Sequence, residues 1–148
     1  MSTTSEYGNF PADPARDVEP EGAWLRLTTS LREERGAVII RAYGEIDAYT
    51  LSTWRRLVSE AATTATDLLI VDTRGLQFLS YQSLVVLAEE AQRGRHRGLR
   101  LHVVSGRPVV ARLLAAAELT ARLPVYPSVQ DALDCSAAPD VVEDHLRG

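Results

Sequence analysis

The sequence is poor in the residues that usually carry chemistry. It has one cysteine, Cys135, so no intrachain disulfide can form and no second thiol stands at metal-ligand spacing. That cysteine usage fits a reducing compartment, and a cytoplasmic location is expected. The three histidines, His96, His102 and His145, lie far apart and show no ligand pattern, so no metal is expected. The serines form no recognisable nucleophile and base grouping, and there is no glycine-rich phosphate loop. No catalytic residue and no cofactor is therefore expected, and the chain reads as a non-enzyme. No apolar run approaches membrane-spanning length, and the opening MSTTSEYGNFPADPARDVEPEG has no apolar h-region, so no membrane insertion is expected. Excess positive charge is missing too: 16 basic against 20 acidic side chains leave a net charge of -4, which gives no footprint for tracking nucleic acid.

What is present suits one soluble domain. The 148 residues, 45% hydrophobic and 24% charged, can bury a single sizeable core. Residues 1–22, with Pro11, Pro14 and Pro20 and only Tyr7 and Phe10 as large apolar anchors, read as a flexible tail; the domain is expected over 23–134 and a flexible C-terminal tail over 135–148. Trp24 to Thr28 and Val38 to Tyr43 read as an opening antiparallel strand pair. Leu51, Trp54, Leu57, Val58 and Ala61 recur at helical spacing, with Asp47 and Thr50 as cap candidates at the entrance. Leu68 to Val71 is a continuous apolar run, expected as a central strand buried on both faces. After a loop, TRGLQFLS, a helix carries Leu84, Leu87, Ala88 and Ala91 and stops in RGRHRG, Arg93 to Gly98. A strand over Leu99 to Val104, a helix opened by Ser105 and Pro108 through about Leu119, a short strand at 125–127 and a last helical turn capped by Ser128 through Leu133 complete the pattern. Strands alternating with helices give an α/β domain, a mixed β-sheet flanked by helices.

The stretch FLSYQSL, Phe78 to Leu84, crowds three hydroxyls into the first turn of a helix. A helix N-terminus presents unpaired N–H groups and the positive end of the macrodipole, so it suits a phosphorylated side chain or another anion. It equally suits a simple cap, with Ser80 as N-cap and Ser83 assisting it. RGRHRG reads chiefly as basic residues complementing a helix C-terminus, with Gly94 or Gly98 as a left-handed cap, and an anion-binding patch is the alternative.

GEIDAYTL at 44–51, LLIVDTRGLQFLSYQSLVVL at 68–87 and LRLHVVSGRPVVARLLAAAELTARLPVYPSVQDAL downstream together resemble the STAS domain of bacterial anti-sigma factor antagonists, over about Trp24 to Leu133. The resemblance implies a STAS-like single domain that binds a serine-kinase-type, ATP-binding anti-sigma factor and so releases sigma factor. The family's Gly, acid, aliphatic, Asp motif is present as Gly44, Glu45, Ile46 and Asp47, and Thr50 also matches. The family's phosphorylation loop is matched by Phe78 to Leu84 in its apolar frame only. Tyr81 stands where the phosphorylated serine belongs, Ser80 where the family has aspartate and Ser83 where it has glycine. A tyrosine hydroxyl projects farther than a serine's and would be misplaced for in-line attack on a γ-phosphate. The usual switch is thus expected to be lost, with Ser80 or Ser83 as the remaining phosphorylatable hydroxyls. Glu118 replaces a glycine that often closes the third helix in the family, which would extend that helix or change its cap.

The implied partner-binding residues are Asp47, Thr50, Ser80, Tyr81, Gln82, Ser83 and Leu84. The expected function is an anti-sigma factor antagonist that docks without the serine switch. Two alternatives stand beside it: a STAS scaffold or accessory subunit of a larger signalling or transport complex, and an anion or nucleotide receptor at the helix N-terminus.

Overall fold

The structure, a computed structural model, describes Glu19 and residues 22–137. Most of the expected tails, 1–18, 20–21 and 138–148, lies outside the described residues. The elements run α1 (Ala23–Arg26), β1 (Leu27–Glu34), β2 (Ala37–Ile46), α2 (Leu51–Thr64), β3 (Leu68–Leu79), α3 (Tyr81–Arg95), β4 (Arg100–Val104), α4 (Pro108–Ala116), β5 (Val125–Tyr126) and α5 (Val129–Ala137). The strands form one sheet in the order β1-β2-β3-β4-β5. β1 and β2 are antiparallel and the other three pairings are parallel, so the sheet is mixed, as the alternation of elements predicts.

The opening pair forms, but its first strand starts later than expected and runs on through the charged stretch to Glu34. WLR does not enter the sheet. Gly22 adopts φ 84° and Ala23–Arg26 closes one helical turn, with the Leu25 N–H bonding the Gly22 carbonyl at 2.9 Å. β1 therefore starts at Leu27. Arg35 and Gly36, both at positive φ (54° and 83°), make the two-residue connection to β2 whose twist suits a hairpin.

The larger difference is β3. Its apolar run Leu68–Val71 is central and buried on both faces, as expected, but the strand continues for 12 residues to Leu79 where the sequence suggests a loop. β2 keeps pairing with it: Tyr43 lies opposite Gly75, Gly44 opposite Leu76, Glu45 opposite Phe78 and Ile46 opposite Leu79, with two irregularities in register. The polar residues that disguise this extension have partners. Thr73 donates its hydroxyl to the Val104 carbonyl at 2.7 Å, and the Arg74 guanidinium bonds both oxygens of Asp72 at 3.0 and 2.9 Å.

Two apolar clusters hold the layers together. On one face, Val38, Ile40, Ala42, Leu69, Val71, Leu101 and Val103 of the sheet meet Trp54, Val58, Ala61, Leu84, Leu87, Ala91, Val110 and Leu114 from α2, α3 and α4. On the other, Ala37, Ile39, Leu68, Ile70 and Val104 meet Val129, Ala132 and Leu133 of α5. Each fully buried Leu or Ile contributes roughly 1.5–3 kcal/mol. α5 is capped at its start by Ser128, which accepts the Asp131 N–H at 3.1 Å, and it continues to Ala137, beyond the expected stop at Leu133.

α4 ends at Ala116, not near Leu119, and Glu118 closes it. Glu118 takes the left-handed conformation itself, φ 61°, and the Glu118 and Leu119 N–H groups bond the Ala115 and Leu114 carbonyls at 3.0 and 2.8 Å. This is the Schellman arrangement that glycine usually serves.

Candidate functional site

The extension of β3 brings the two candidate segments together. β2 ends at Ile46 and β3 at Leu79, paired to each other, and the Ser80 N–H bonds the Ile46 carbonyl at 3.0 Å. The α2 entrance and the first turn of α3 therefore share one end of the sheet. A third tie comes from α2, where the buried Trp54 donates its indole N–H to the Ser83 carbonyl at 3.1 Å.

Ser80 is the N-cap of α3, accepting the Ser83 N–H at 3.3 Å. Ser83 is fully buried and donates its hydroxyl back to the Ser80 carbonyl, and Leu84 points into the core. Ser83 therefore offers no accessible hydroxyl in the folded chain, and neither Ser83 nor Leu84 presents a side chain at the surface. Tyr81, at the first helical position, is 45% exposed and Gln82 is exposed; Phe78 just upstream is 51% exposed. Tyr81 also lines a groove of about 740 Å³ with Val85, Ala88 and Glu89 of α3 and Arg55 of α2, across which Arg55 and Glu89 pair at 2.9 Å.

The α2 entrance is built around Asp47. Its Oδ1 accepts the Tyr49 and Thr50 N–H groups at 2.9 and 3.2 Å, so it caps the turn that leads into the helix. Thr50 is fully buried; its hydroxyl donates to the Glu45 carbonyl at 2.8 Å and accepts the Asp47 N–H at 3.0 Å. Among the expected contact residues, Asp47, Ser80, Tyr81 and Gln82 thus reach the surface, while Thr50, Ser83 and Leu84 hold that surface in shape.

Arg26 belongs to this site and was not anticipated from the sequence. Its guanidinium bonds Glu45 at 2.7 Å and Asp47 on the same side, and it lies 5.1 Å from the Tyr49 ring centroid. Burial raises the pKa of the Asp47 carboxyl, but the bonds from Arg26 and from the Thr50 N–H outweigh it and hold the group below its ordinary value. The signal was obscured because WLR reads as strand, which would have sent Arg26 elsewhere. Gly44 is what lets this segment approach. It has φ 111°, and a Cβ there would lie 2.0 Å from the Arg26 carbonyl oxygen. Glu19, expected in the tail, likewise lies against α2, with Thr53 donating to it at 3.0 Å and Arg56 paired with it.

Among the described residues no group of three or more His, Cys, Asp or Glu side chains could hold a metal ion, and no helix is long and apolar enough to cross a membrane.

A mixed five-stranded sheet with three helices on one face and α5 on the other is the architecture of a STAS domain. The chain belongs to that family: the STAS domain model matches residues 28–132. It is 47% identical over 111 residues to Rv2638 of Mycobacterium tuberculosis, named as a candidate anti-anti-sigma factor, with 74% of each chain covered. It is 41% identical over 112 residues to the anti-sigma-F factor antagonist RsfA of the same species, covering 74% of this chain and 88% of RsfA. The crystal structure of an anti-sigma factor antagonist from Mycobacterium paratuberculosis superposes with a TM-score of 0.64 at 25% identity, over 74% of this chain and 92% of that one. Unphosphorylated SpoIIAA, at 18% identity and TM-score 0.59, shares the fold, with 74% of this chain and 96% of that chain covered.

Proposed function

We propose that this chain is an anti-sigma factor antagonist that docks on a serine-kinase-type anti-sigma factor through Asp47, Ser80, Tyr81 and Gln82, and that Tyr81 removes the usual serine switch from the contact surface. The observation that carries this reading is the bond from the Ser80 N–H to the Ile46 carbonyl, which fixes the α2 entrance and the α3 entrance as one surface. The names of its relatives support the antagonist role, and the burial of Ser83 supports the loss of the switch. The surface is aromatic more than acidic. Phe78, Tyr81 and Tyr49 are exposed, whereas Glu45 and Asp47 are both engaged by Arg26. Tyrosine suits such a role, since its ring buries apolar area while its hydroxyl keeps a polar partner.

The test is a pulldown of the anti-sigma factors of the chain's own organism in ADP and in ATP, followed by mass spectrometry of the bound protein. Binding in both nucleotide states with no phosphate on residues 80–83 is the expected result. Tyr81→Ala should weaken binding by about 10-fold with little change in stability. Phosphate on Ser80 that abolishes binding would overturn the lost switch, and failure to bind any such factor would overturn the antagonist reading.

A further inference from the structure

The basic cluster near the end of α3 divides into arginines with structural work and arginines without it. Arg97 donates to the Ala62 and Ala65 carbonyls at the end of α2, at 2.7 and 3.3 Å, and Arg93 pairs with Glu90. The Arg95 side chain has no hydrogen bond or ion pair among the described residues, and neither has that of Arg122 in the segment leading to β5. The end of α3 does not need Arg95 as a cap, because its last carbonyls are met by backbone. Gly94 accepts from Arg97 and Leu99 at 3.0 and 2.9 Å, and Arg95 accepts from Gly98 at 3.2 Å.

Arg95 and Arg122 line one cavity of about 340 Å³ from two separate walls. The rest of the lining is mixed: Ala91, Leu99, Leu101 and Pro124 supply apolar surface, and Arg100 and His102 also border the cavity. The cavity opens along a part of β4 that β5 does not reach, since β5 pairs only with Val103 and Val104. The Arg100 N–H turns toward β3 to bond Asp67 and the Val103 N–H turns toward β5 to bond Pro124, both at 2.9 Å. The alternation along a strand therefore points the Leu101 N–H to the cavity side.

Both arginines are exposed and border the same cavity, and an oxyanion held between them would satisfy both forks. The apolar lining would take a hydrophobic body attached to that head, and the volume lies in the range of small-molecule pockets. The geometry points to a binding site for a small organic anion, an oxyanion head on an apolar body, held by Arg95, Arg122 and the Leu101 N–H. Arg122 also lines the groove that Tyr81 borders, so the two features adjoin there, but the proposal does not rest on the partner reading.

The experiment is an amide NMR titration of the full chain with phenyl phosphate, with inorganic phosphate and benzyl alcohol as the head-only and body-only probes. Saturable shifts at Leu101 and Ala121 are expected with phenyl phosphate, at lower concentration than with either control. Arg95→Gln and Arg122→Gln should each weaken binding by about 10-fold or more. Arg112→Gln, which removes another arginine whose side chain has no bonded partner among the described residues but which does not line the cavity, should leave binding unchanged. Absence of saturation at millimolar phenyl phosphate would overturn the proposal. So would equal binding of inorganic phosphate, or an Arg112→Gln effect as large as that of the cavity variants.

Discussion

Trp54 of α2 donates its indole N–H to the main-chain carbonyl of Ser83 in α3 at 3.1 Å, and both residues are fully buried. The bond couples the core to the surface, because Ser83 sits one turn into the helix whose first residues, Tyr81 and Gln82, are exposed. Trp54→Phe keeps much of the apolar volume and removes the donor. A loss of about 1–3 kcal/mol in denaturant unfolding is expected. A variant with unchanged stability would show that the bond contributes little.

Arg26→Ala should raise the pKa of the Asp47 carboxyl toward its ordinary value. Burial already pushes that group upward, and the substitution removes the Arg26 hydrogen bond and charge that oppose it, leaving the Thr50 and Tyr49 N–H groups. Carboxyl-detected NMR titration of wild type and variant reads this directly. An unchanged value would mean that Arg26 does not hold Asp47 in solution.

Glu118→Gly should stabilise the domain by about 1 kcal/mol, because the residue sits at φ 61°, where glycine carries no Cβ penalty. Glu118→Val should do the opposite. A thermal melt that ranks the three as Gly above Glu above Val checks the cap. The reverse order would show that the end of α4 does not adopt this conformation.

His102 should make the fold sensitive to mild acid. Burial, with the nearby Arg100 charge adding to it and a backbone bond to Ala132 opposing, lowers its pKa from 6.5 to about 4. The unfolded chain thus takes up this proton at higher pH than the folded one. The stability contribution of the neutral ring is complete above pH 6.5 and is lost as pH falls toward about 4, a change on the order of 3 kcal/mol. Asp72 acts in a different window: burial raises its pKa, the Arg74 bonds and charge outweigh that, and the stability it adds is lost only as pH falls through a value below the ordinary carboxylate range. His102→Phe should therefore flatten the upper part of the profile in urea unfolding at several pH values. A variant that keeps the wild-type slope there would assign the effect to other groups.

The order of elements and the location of the core were legible because they rest on periodicity. Leu68–Val71 announces a buried strand, and the Trp54, Val58, Ala61 spacing announces a helix with one buried stripe. What escaped was set by tertiary pairing. Thr73, Arg74 and Gln77 look like loop residues and sit in the register irregularities; the pairing of Gly75, Leu76, Phe78 and Leu79 with Tyr43–Ile46 on either side of them carries the strand through. The same cause limited the site. Asp47, Ser80, Tyr81 and Gln82 could be named as surface candidates because motif and helix-cap chemistry are local, while the burial of Thr50, Ser83 and Leu84 follows from how α2 and α3 pack. Arg26 lies 19 and 21 residues from its partners in the chain, and no local pattern joins them.

Ile46 and Leu79 leave the sheet on the same rung, and this makes the two loops mutually dependent in length. Inserting or deleting one residue between Phe78 and Ser80, past the two register irregularities that already absorb extra β3 residues, would carry Ser80 away from the Ile46 carbonyl. Relatives that acquire new partners through this end of the domain should therefore differ by substitution at fixed spacing, and changes of chain length should fall instead at the Arg35–Gly36 hairpin or between α4 and β5.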